Sequence, residues 1–132
     1  MIQEDKNLLL QDLCARLPYG IKVQYLTGVN DKTYVCNVDQ VSIKSQCVGI
    51  AEIAHTVFTW RIIERIKPYL RPMSSMTEEE KKEYKHLVAF SGNPIGSADF
   101  IDWLNAHHFD YRGLIERGLA IEVTGENNPY KD

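Results

Sequence analysis

The sequence lacks the short motifs that mark the common nucleotide-dependent and hydrolytic enzymes. It contains no glycine-rich phosphate-binding loop, no G-x-G-x-x-G, no G-x-S-x-G and no C-x-x-C pair. Those patterns place backbone amides, a nucleophile or thiolate ligands at fixed spacings, so no cofactor is predicted. An enzyme is not thereby excluded, because catalytic residues can come together from distant parts of a chain.

Long apolar runs are also missing. No stretch approaches the roughly 20 apolar residues that cross a bilayer, and residues 1–6 lack the basic start and apolar core of a signal peptide. We therefore expect a cytoplasmic protein without membrane contacts. Its three cysteines, Cys14, Cys36 and Cys47, are widely spaced, and we expect reduced thiols that pack as small apolar side chains.

Positive charge is scarce. The 132 residues hold 15 Lys and Arg against 18 Asp and Glu, a net charge of −3, which argues against a broad nucleic-acid surface. The exception is segment 61–72, with four cations and one carboxylate. Cations beside aromatic rings suit phosphates, stacked bases or an acidic protein, although basic residues also simply protect strand edges. The predicted binding residues are Arg61, Arg65, Lys67, Tyr69 and Arg71.

Hydrophobic periodicity predicts a single α+β domain over residues 1–132. Apolar and polar residues alternate in short runs within about 21–66, which indicates a small antiparallel β-meander that curls into a barrel-like sheet. Residues 46–55 fit either a strand or a helix. A final strand at about 119–123 is expected to join the sheet.

Three to four helices are expected to cover this sheet. Most of them lie in a helical part at about 77–118, where Thr77 and Glu80 form a capping-box pattern. The polar residues 125–132 are expected to be a frayed tail. The predicted helices span 5–17, with Asp5 as N-cap, 77–90, 98–108 and 110–117, the last capped by Asp110 and ended by Gly118.

Residues 66–77 connect the strand-rich and helical parts. Pro68 and Pro72 forbid a regular helix and disfavour a central strand, yet the segment is too apolar for a free linker. We predict an ordered crossover that packs on the core. The predicted core residues are Leu9, Leu13, Val23, Tyr25, Val35, Phe58, Trp60, Ile62, Leu87, Phe100, Leu104, Leu114, Ile115 and Leu119.

His107, His108 and Asp110 form the group most typical of a catalytic or metal site. Adjacent histidines on a helix project about 100° apart, however, so they do not easily share one ion, and Asp110 also suits a helix cap. We therefore predict no metal site and no catalytic residue. A small enzyme built on these three residues, with or without a metal, is the alternative hypothesis.

A second alternative is a DNA-binding protein related to winged helices. Residues 111–123 read as a short helix, a glycine and a strand, similar to the end of a winged helix. The preceding helix offers Asp99, Asp102 and Asn105 where a recognition helix carries basic side chains.

Two blocks of the sequence resemble a known family. Residues 67–80 (KPYLRPMSSMTEEE) and 102–120 (DWLNAHHFDYRGLIERGLA) are similar to signature blocks of small proteins that recur in gut bacteria and in their phages and prophages, and residues 12–20 are similar to the family's opening. The family has no assigned activity, so the resemblance implies a phage or mobile-element setting and supplies no catalytic residue. The leading hypothesis is a non-catalytic binding module that contacts a protein or nucleic acid through the basic–aromatic segment, with the oligomeric state left open.

Overall fold

A computed structural model describes residues 1–28, 32–52, 58–89 and 94–130. It shows a six-stranded sheet of order β4-β3-β2-β1-β5-β6 with three helices, and so confirms the α+β class. The helices are α1 (Gln3–Arg16), α2 (Glu78–Ala89) and α3 (Pro94–Ala106). The strands are β1 (Lys22–Leu26), β2 (Thr33–Ser42), β3 (Cys47–Glu52), β4 (Phe58–Ile62), β5 (Ile66–Leu70) and β6 (Ile121–Glu122).

The first four strands form the predicted antiparallel meander. β2 continues past a bulge between Val38 and Gln40. β3 settles most of the ambiguous stretch as a strand, while residues 53–55 lie outside the described part. The final strand joins the sheet as predicted, but β6 spans only two residues and runs parallel to β5.

The sheet is strongly curled. A flat sheet would hold β4 and β5 about 19 Å apart, because four strand spacings separate them. Only a 3-10 turn, Ile63–Arg65, joins the two strands, and the four steps from Ile62 to Ile66 reach at most about 14 Å. The Arg61 guanidinium on β4 accordingly lies 4.9 Å from the ring of Tyr25 on β1.

The sheet is curled, as the barrel-like prediction implied, but it does not close into a barrel. β4 and β6 are the end strands of the order found in the described residues, so the sheet is open. The three-residue link between β4 and β5 accounts for the barrel-like curl. The link brings the two strands together, although no hydrogen-bonded ladder joins them.

The core lies between α1 and one face of the sheet. Leu9 and Leu13 of α1 are fully buried there with Val23 and Ile50. Burial is confirmed for seven predicted core residues, and Cys36 is the one cysteine that is buried. The seven are Leu9, Leu13, Val23, Tyr25, Leu104, Leu114 and Leu119.

Four predicted core positions are only half-buried, and two were wrong. Trp60 and Ile62 are 46% and 47% exposed, because Arg61, not Trp60, pairs with the buried Val48 and so shares its face of the sheet. The half-buried residues are Val35, Leu87, Phe100 and Ile115, and the side chain of Phe58 lies outside the described part.

The crossover is ordered, as predicted, but its first half is an interior strand. Ile66 and Leu70 are fully buried, and β5 lies between β1 and β6. Pro68 was predicted to disfavour a central strand. It is tolerated here because β6 pairs only with Tyr69 and Leu70 of β5. The side of β5 that faces β6 therefore needs no amide from Pro68.

The helical part differs from the prediction at its end. α3 stops at Ala106, and no helix forms at 110–117, where only 114–117 are turns, because Gly113 adopts a left-handed φ of 75° that interrupts a helix. Asp110 still acts as a cap, since its carboxylate accepts the amides of Leu114 and Ile115, both at 2.9 Å. Gly118 has the left-handed φ expected of it.

The starts of α1 and α2 and the C-terminal tail differ in how well they match the predictions. α1 begins at Gln3, so Asp5 lies in its first turn and is not the cap. The capping box at α2 is confirmed by reciprocal bonds between Thr77 and Glu80. The expectation of a frayed tail was wrong for Tyr130, whose hydroxyl donates to the carbonyl of Tyr69 at 2.8 Å.

Within the described ranges, α1 is the helix that supplies residues to the main core cluster. α2 has no buried residue and packs on α3 through Tyr84, whose ring centre lies 5.4 Å from that of Phe100. Among the described residues, the helical part of the main core cluster therefore comes from α1, while α2 and α3 pack on each other. The consequence for function is that one face of the sheet carries no helix in the described part of the chain.

Candidate functional site

The sheet face opposite α1, here called the open face, is the candidate functional surface. Residues that pair across antiparallel strands share a face, so Gln24 lies beside Lys67, and Gly49 lies beside Trp60. Several of its residues are exposed although they are apolar. The exposed residues of this face include Leu26, Thr33, Asn37, Trp60, Ile62 and Lys67.

Cations collect at the β1–β5 side of the open face. Lys22 and Lys67 belong to this face by register, and Arg65 stands just before β5, donating from Nη1 to the carbonyl of Leu26 at 3.3 Å. Lys22, Arg65 and Lys67 are called the basic strip below. The open-face positions of β1 and β5 contain no carboxylate, so no residue of these two strands compensates the positive charge on this side of the sheet.

Three of the five predicted binding residues have internal contacts. Arg61 points to the core face, over the Tyr25 ring. Tyr69 is only 7% exposed, and burial raises the pKa of its hydroxyl. Lys67 is exposed on the open face and Arg65 is half-buried beside it, whereas Tyr69 belongs to the same face by alternation but is buried.

Arg71 is the third predicted binding residue with internal contacts, and it links the crossover segment to α2. Its guanidinium donates to both carboxylate oxygens of Glu80, at 2.8 and 2.6 Å, and lies 4.2 Å from the centre of the Phe109 ring. The hydrogen bonds from Arg71 lower the pKa of Glu80 to about 2. Since bidentate pairs of this kind are strong and geometrically specific, Arg71 acts as a clamp within the fold.

The histidine cluster is dispersed. His107 places Nδ1 2.9 Å from the carbonyl oxygen of Trp103, and its ring packs on the Trp103 indole. The His108 ring stacks on Tyr130 with 3.7 Å between centres, and Asp110 caps a turn. No group of three potential ligands that could hold a metal occurs among the described residues. A cleft of about 450 Å³ beside Asp110 holds Glu116 and Glu122, and its described lining residues include no histidine, cysteine, serine or threonine.

The winged-helix hypothesis loses its structural basis. It required a short helix at 110–117, where no helix forms, and a basic helix before it. α3 occupies that place and exposes Asp99 and Asp102.

A buried ionic cluster that was not predicted from the sequence lies between α1 and residues 109–112. Asp12 and Arg16 are both 0% exposed, and their side chains pair at 2.8 Å. Arg112 approaches the other oxygen of Asp12 at 3.3 Å, and Arg16 also donates to the carbonyl of Phe109 at 2.6 Å. Burial raises the pKa of Asp12, and the nearby Arg16 cation opposes that rise. The i,i+4 spacing of opposite charges inside the apolar stripe of α1 was the available signal.

His108 predicts a pH dependence of stability. It has a left-handed φ of 64°, and burial, followed by the Arg16 cation, lowers its pKa to about 4 from 6.5. The unfolded chain binds the proton first, so this stability is complete above pH 6.5 and is lost as pH falls towards 4. Allowing for solvent screening of a partly exposed ring, the loss should be about 1–3 kcal/mol.

The measurement is urea unfolding at pH 7 and at pH 4.5. His108→Asn tolerates the left-handed conformation and should show a smaller difference between the two pH values than the wild type. His86→Asn, on the exposed side of α2, is the matched control and should keep the wild-type difference. Equal pH dependence in wild type and His108→Asn would refute the assignment.

Comparisons of the chain with protein-family models, with curated proteins and with solved structures find no match. None of the helices in the described ranges combines the length and apolar character of a membrane span. The functional argument therefore depends on the geometry of the open face.

Proposed function

We propose that the protein is a non-catalytic binding module that contacts an acidic partner through the basic strip of its open face. The observation that carries the proposal is the placement of Lys22, Arg65 and Lys67 on a sheet face that bears no helix in the described ranges, in a chain of net charge −3. Positive charge that is locally uncompensated steers and orients acidic partners. The other residues of the basic–aromatic segment are engaged within the fold, Arg61 on Tyr25, Arg71 on Glu80 and Tyr69 by burial.

An acidic protein surface suits this face better than a nucleic acid does. Specific DNA binding typically uses about 6–10 phosphate contacts, and the strip supplies far fewer cations. The neighbouring Leu26 is an exposed apolar residue, and mixed apolar and charged surfaces are typical of protein interfaces. A nucleic-acid partner is the second candidate, favoured by the same cations.

The cellular setting is part of the proposal. The blocks 67–80 and 102–120 resemble a family found in gut bacteria and their phages and prophages, and the sequence composition favours the cytoplasm. We therefore propose a phage or mobile-element adaptor that acts in the bacterial cytoplasm. Arg71 belongs to the first block and Phe109 to the second, and their side chains are in contact. The two blocks therefore include residues that stabilise the fold as well as residues on the surface.

The test compares capture of a partner from bacterial lysate by immobilised wild type and by charge-reversed variants. Lys67→Glu alone, and together with Arg65→Glu, should reduce the captured amount at least tenfold, because the strip changes sign. Lys82→Glu with Lys85→Glu on the exposed side of α2 makes the same charge change elsewhere and should leave capture unchanged. Arg71→Glu is unsuitable, since it would place two carboxylates together at Glu80.

Three results would count against the proposal: no partner captured by the wild type, undiminished capture by the double variant, or equal loss in the α2 control. Treatment of the lysate with nuclease distinguishes the two partner classes. Capture that survives nuclease supports an acidic protein, and capture that requires nucleic acid supports the second candidate.

A further inference from the structure

The backbone at Arg65 is fixed by its neighbours. Ile63 and Ile66, on either side of it, are both 0% exposed. Because Tyr25 of β1 pairs with Ile66 of β5, the next antiparallel step places Arg65 level with Leu26. The side chain crosses to that strand, where Nη1 donates to the carbonyl oxygen of Leu26 at 3.3 Å. The guanidinium is therefore held at the loop end of β1.

Gly28 leaves the space that the guanidinium occupies. A Cβ atom placed on Gly28 would lie 2.6 Å from Nη1 of Arg65 and 3.1 Å from both Cζ and Nη2. Any larger residue at position 28 has to displace the guanidinium, and the end of a flexible arginine moves more easily than the backbone does. Gly28 also has a left-handed φ of 78°, which glycine adopts without steric cost.

The turn that carries Gly28 is closed by two hydrogen bonds. The amide of Thr27 donates to the carbonyl oxygen of Lys32 at 3.0 Å, and the Thr27 hydroxyl donates to the same oxygen at 3.2 Å. One closed turn thus presents both the Leu26 carbonyl and the surface of Gly28 to Arg65. The orientation of the guanidinium follows from these two contacts.

A guanidinium held in this way is suited to a carboxylate. Its bond to Leu26 uses one N–H donor, and the half-buried side chain has further donors for a partner. The planar fork of arginine matches the two oxygens of a carboxylate, as Arg71 does here with both oxygens of Glu80, at 2.8 and 2.6 Å. A side chain that is already oriented loses less freedom on binding.

We infer that Gly28 is a positioning residue that holds the Arg65 guanidinium as a bidentate receptor for a carboxylate of the partner protein. The inference rests on the proposed function and specifies its chemistry. The proposed function requires positive charge on the basic strip, whereas the inference requires arginine at position 65 and the space above Gly28. Lys67 supplies charge to the same strip without the planar fork.

The experiment is an NMR titration of the isotope-labelled full chain with an oligoglutamate peptide. In the wild type the Nε–H signal of Arg65 and the amide signal of Lys67 should shift together and saturate. Arg65→Lys keeps the charge but removes the fork, and should raise the dissociation constant by about fivefold or more. Gly28→Ala should raise it by a similar factor, and its Arg65 signal should be displaced even without peptide.

Two controls separate positioning from backbone strain. Gly118 has a left-handed φ of 75°, and nothing lies within 4 Å of its Cβ position. Gly118→Ala therefore introduces similar strain without touching Arg65, and should leave the dissociation constant unchanged. In the Arg65→Lys background Gly28→Ala should have little further effect, because both changes act through one guanidinium. Circular dichroism checks the fold of each variant.

The outcomes distinguish the inference from the proposed function. Shifts at Lys67 without a shift at Arg65, or an unchanged dissociation constant in Arg65→Lys, would overturn the inference and leave the proposed function standing. No response from any residue of the basic strip would overturn the inference and also count against the proposed function. An oligothymidylate that shifts Arg65 more strongly than oligoglutamate would identify phosphate as the ligand and overturn the inference.

The role of Gly28 has its own decisive results. Equal weakening by Gly118→Ala and Gly28→Ala, or a full effect of Gly28→Ala in the Arg65→Lys background, would refute it. Should Gly28→Ala not fold, nitrogen relaxation of the wild type replaces it. The Arg65 Nε should then be as ordered as the backbone amide of Ile66, and an Nε that moves freely would overturn the inference.

Discussion

Asp12→Ala is expected to lower the free energy of unfolding by about 3–5 kcal/mol, because it leaves two cations without their carboxylate in a buried site. Arg16 is 0% exposed and pairs with Asp12 at 2.8 Å. The Arg112 side chain lies 3.3 Å from the other carboxylate oxygen of Asp12. Urea unfolding followed by circular dichroism measures the loss. Asp5→Ala removes another α1 carboxylate, paired with the more exposed Arg117, and should cost less than about 1 kcal/mol.

The double variant Asp12→Leu with Arg16→Met separates charge burial from packing. Replacing a buried pair by apolar residues of similar volume often costs little, so this variant should recover much of the stability lost in Asp12→Ala. A loss below about 1 kcal/mol in Asp12→Ala itself would contradict the view that the cluster fixes α1 to residues 109–112.

Phe109→Ala should lower the free energy of unfolding by a similar amount, about 3–5 kcal/mol. Phe109 is 0% exposed, and its ring lies against Trp103 and under the Arg71 guanidinium. The carbonyl oxygen of Phe109 also accepts a hydrogen bond from the Arg16 guanidinium. Truncation therefore opens a cavity at the point where the crossover, α3 and α1 meet.

The measurement is again urea unfolding, with Phe109→Leu as a graded variant that should cost less because it fills part of the cavity. Tyr34→Ala is the control, since Tyr34 is 40% exposed on β2 and should cost little. A Phe109→Ala protein as stable as the control would show that this junction is not what holds the helical part to the sheet.

Local patterns predicted the elements of this fold because their determinants are local. Three- and four-residue spacing located α1, alternation located β1, β2 and β4, and the Thr77–Glu80 pair located the start of α2, whereas β3 fell in the stretch that fitted either a strand or a helix. Each of these signals depends on side chains a few residues apart.

The errors arose where distant contacts decide the outcome. Alternation in β4 fits burial of either face, and the buried face is the one with Arg61, because Tyr25 from β1 receives its guanidinium. Pro68 fits an interior strand because β6 is too short to require its amide. Neither contact is visible in the local sequence.

The candidate site was partly predictable for the same reason. The excess of cations in 61–72 identified Arg65 and Lys67, which lie at the open face. Arg71 belongs to the same charge pattern, but Glu80 binds it while also capping α2. Charge counting cannot distinguish a free cation from one that the fold has already paired.

Lysine-specific covalent labelling of the protein, alone and with its captured partner, tests most directly whether the open face is the binding surface. Lys67 should be modified readily in the free protein and become protected in the complex, while Lys82 and Lys85 on α2 stay equally reactive. Protection confined to α2, with Lys67 unchanged, would contradict the account.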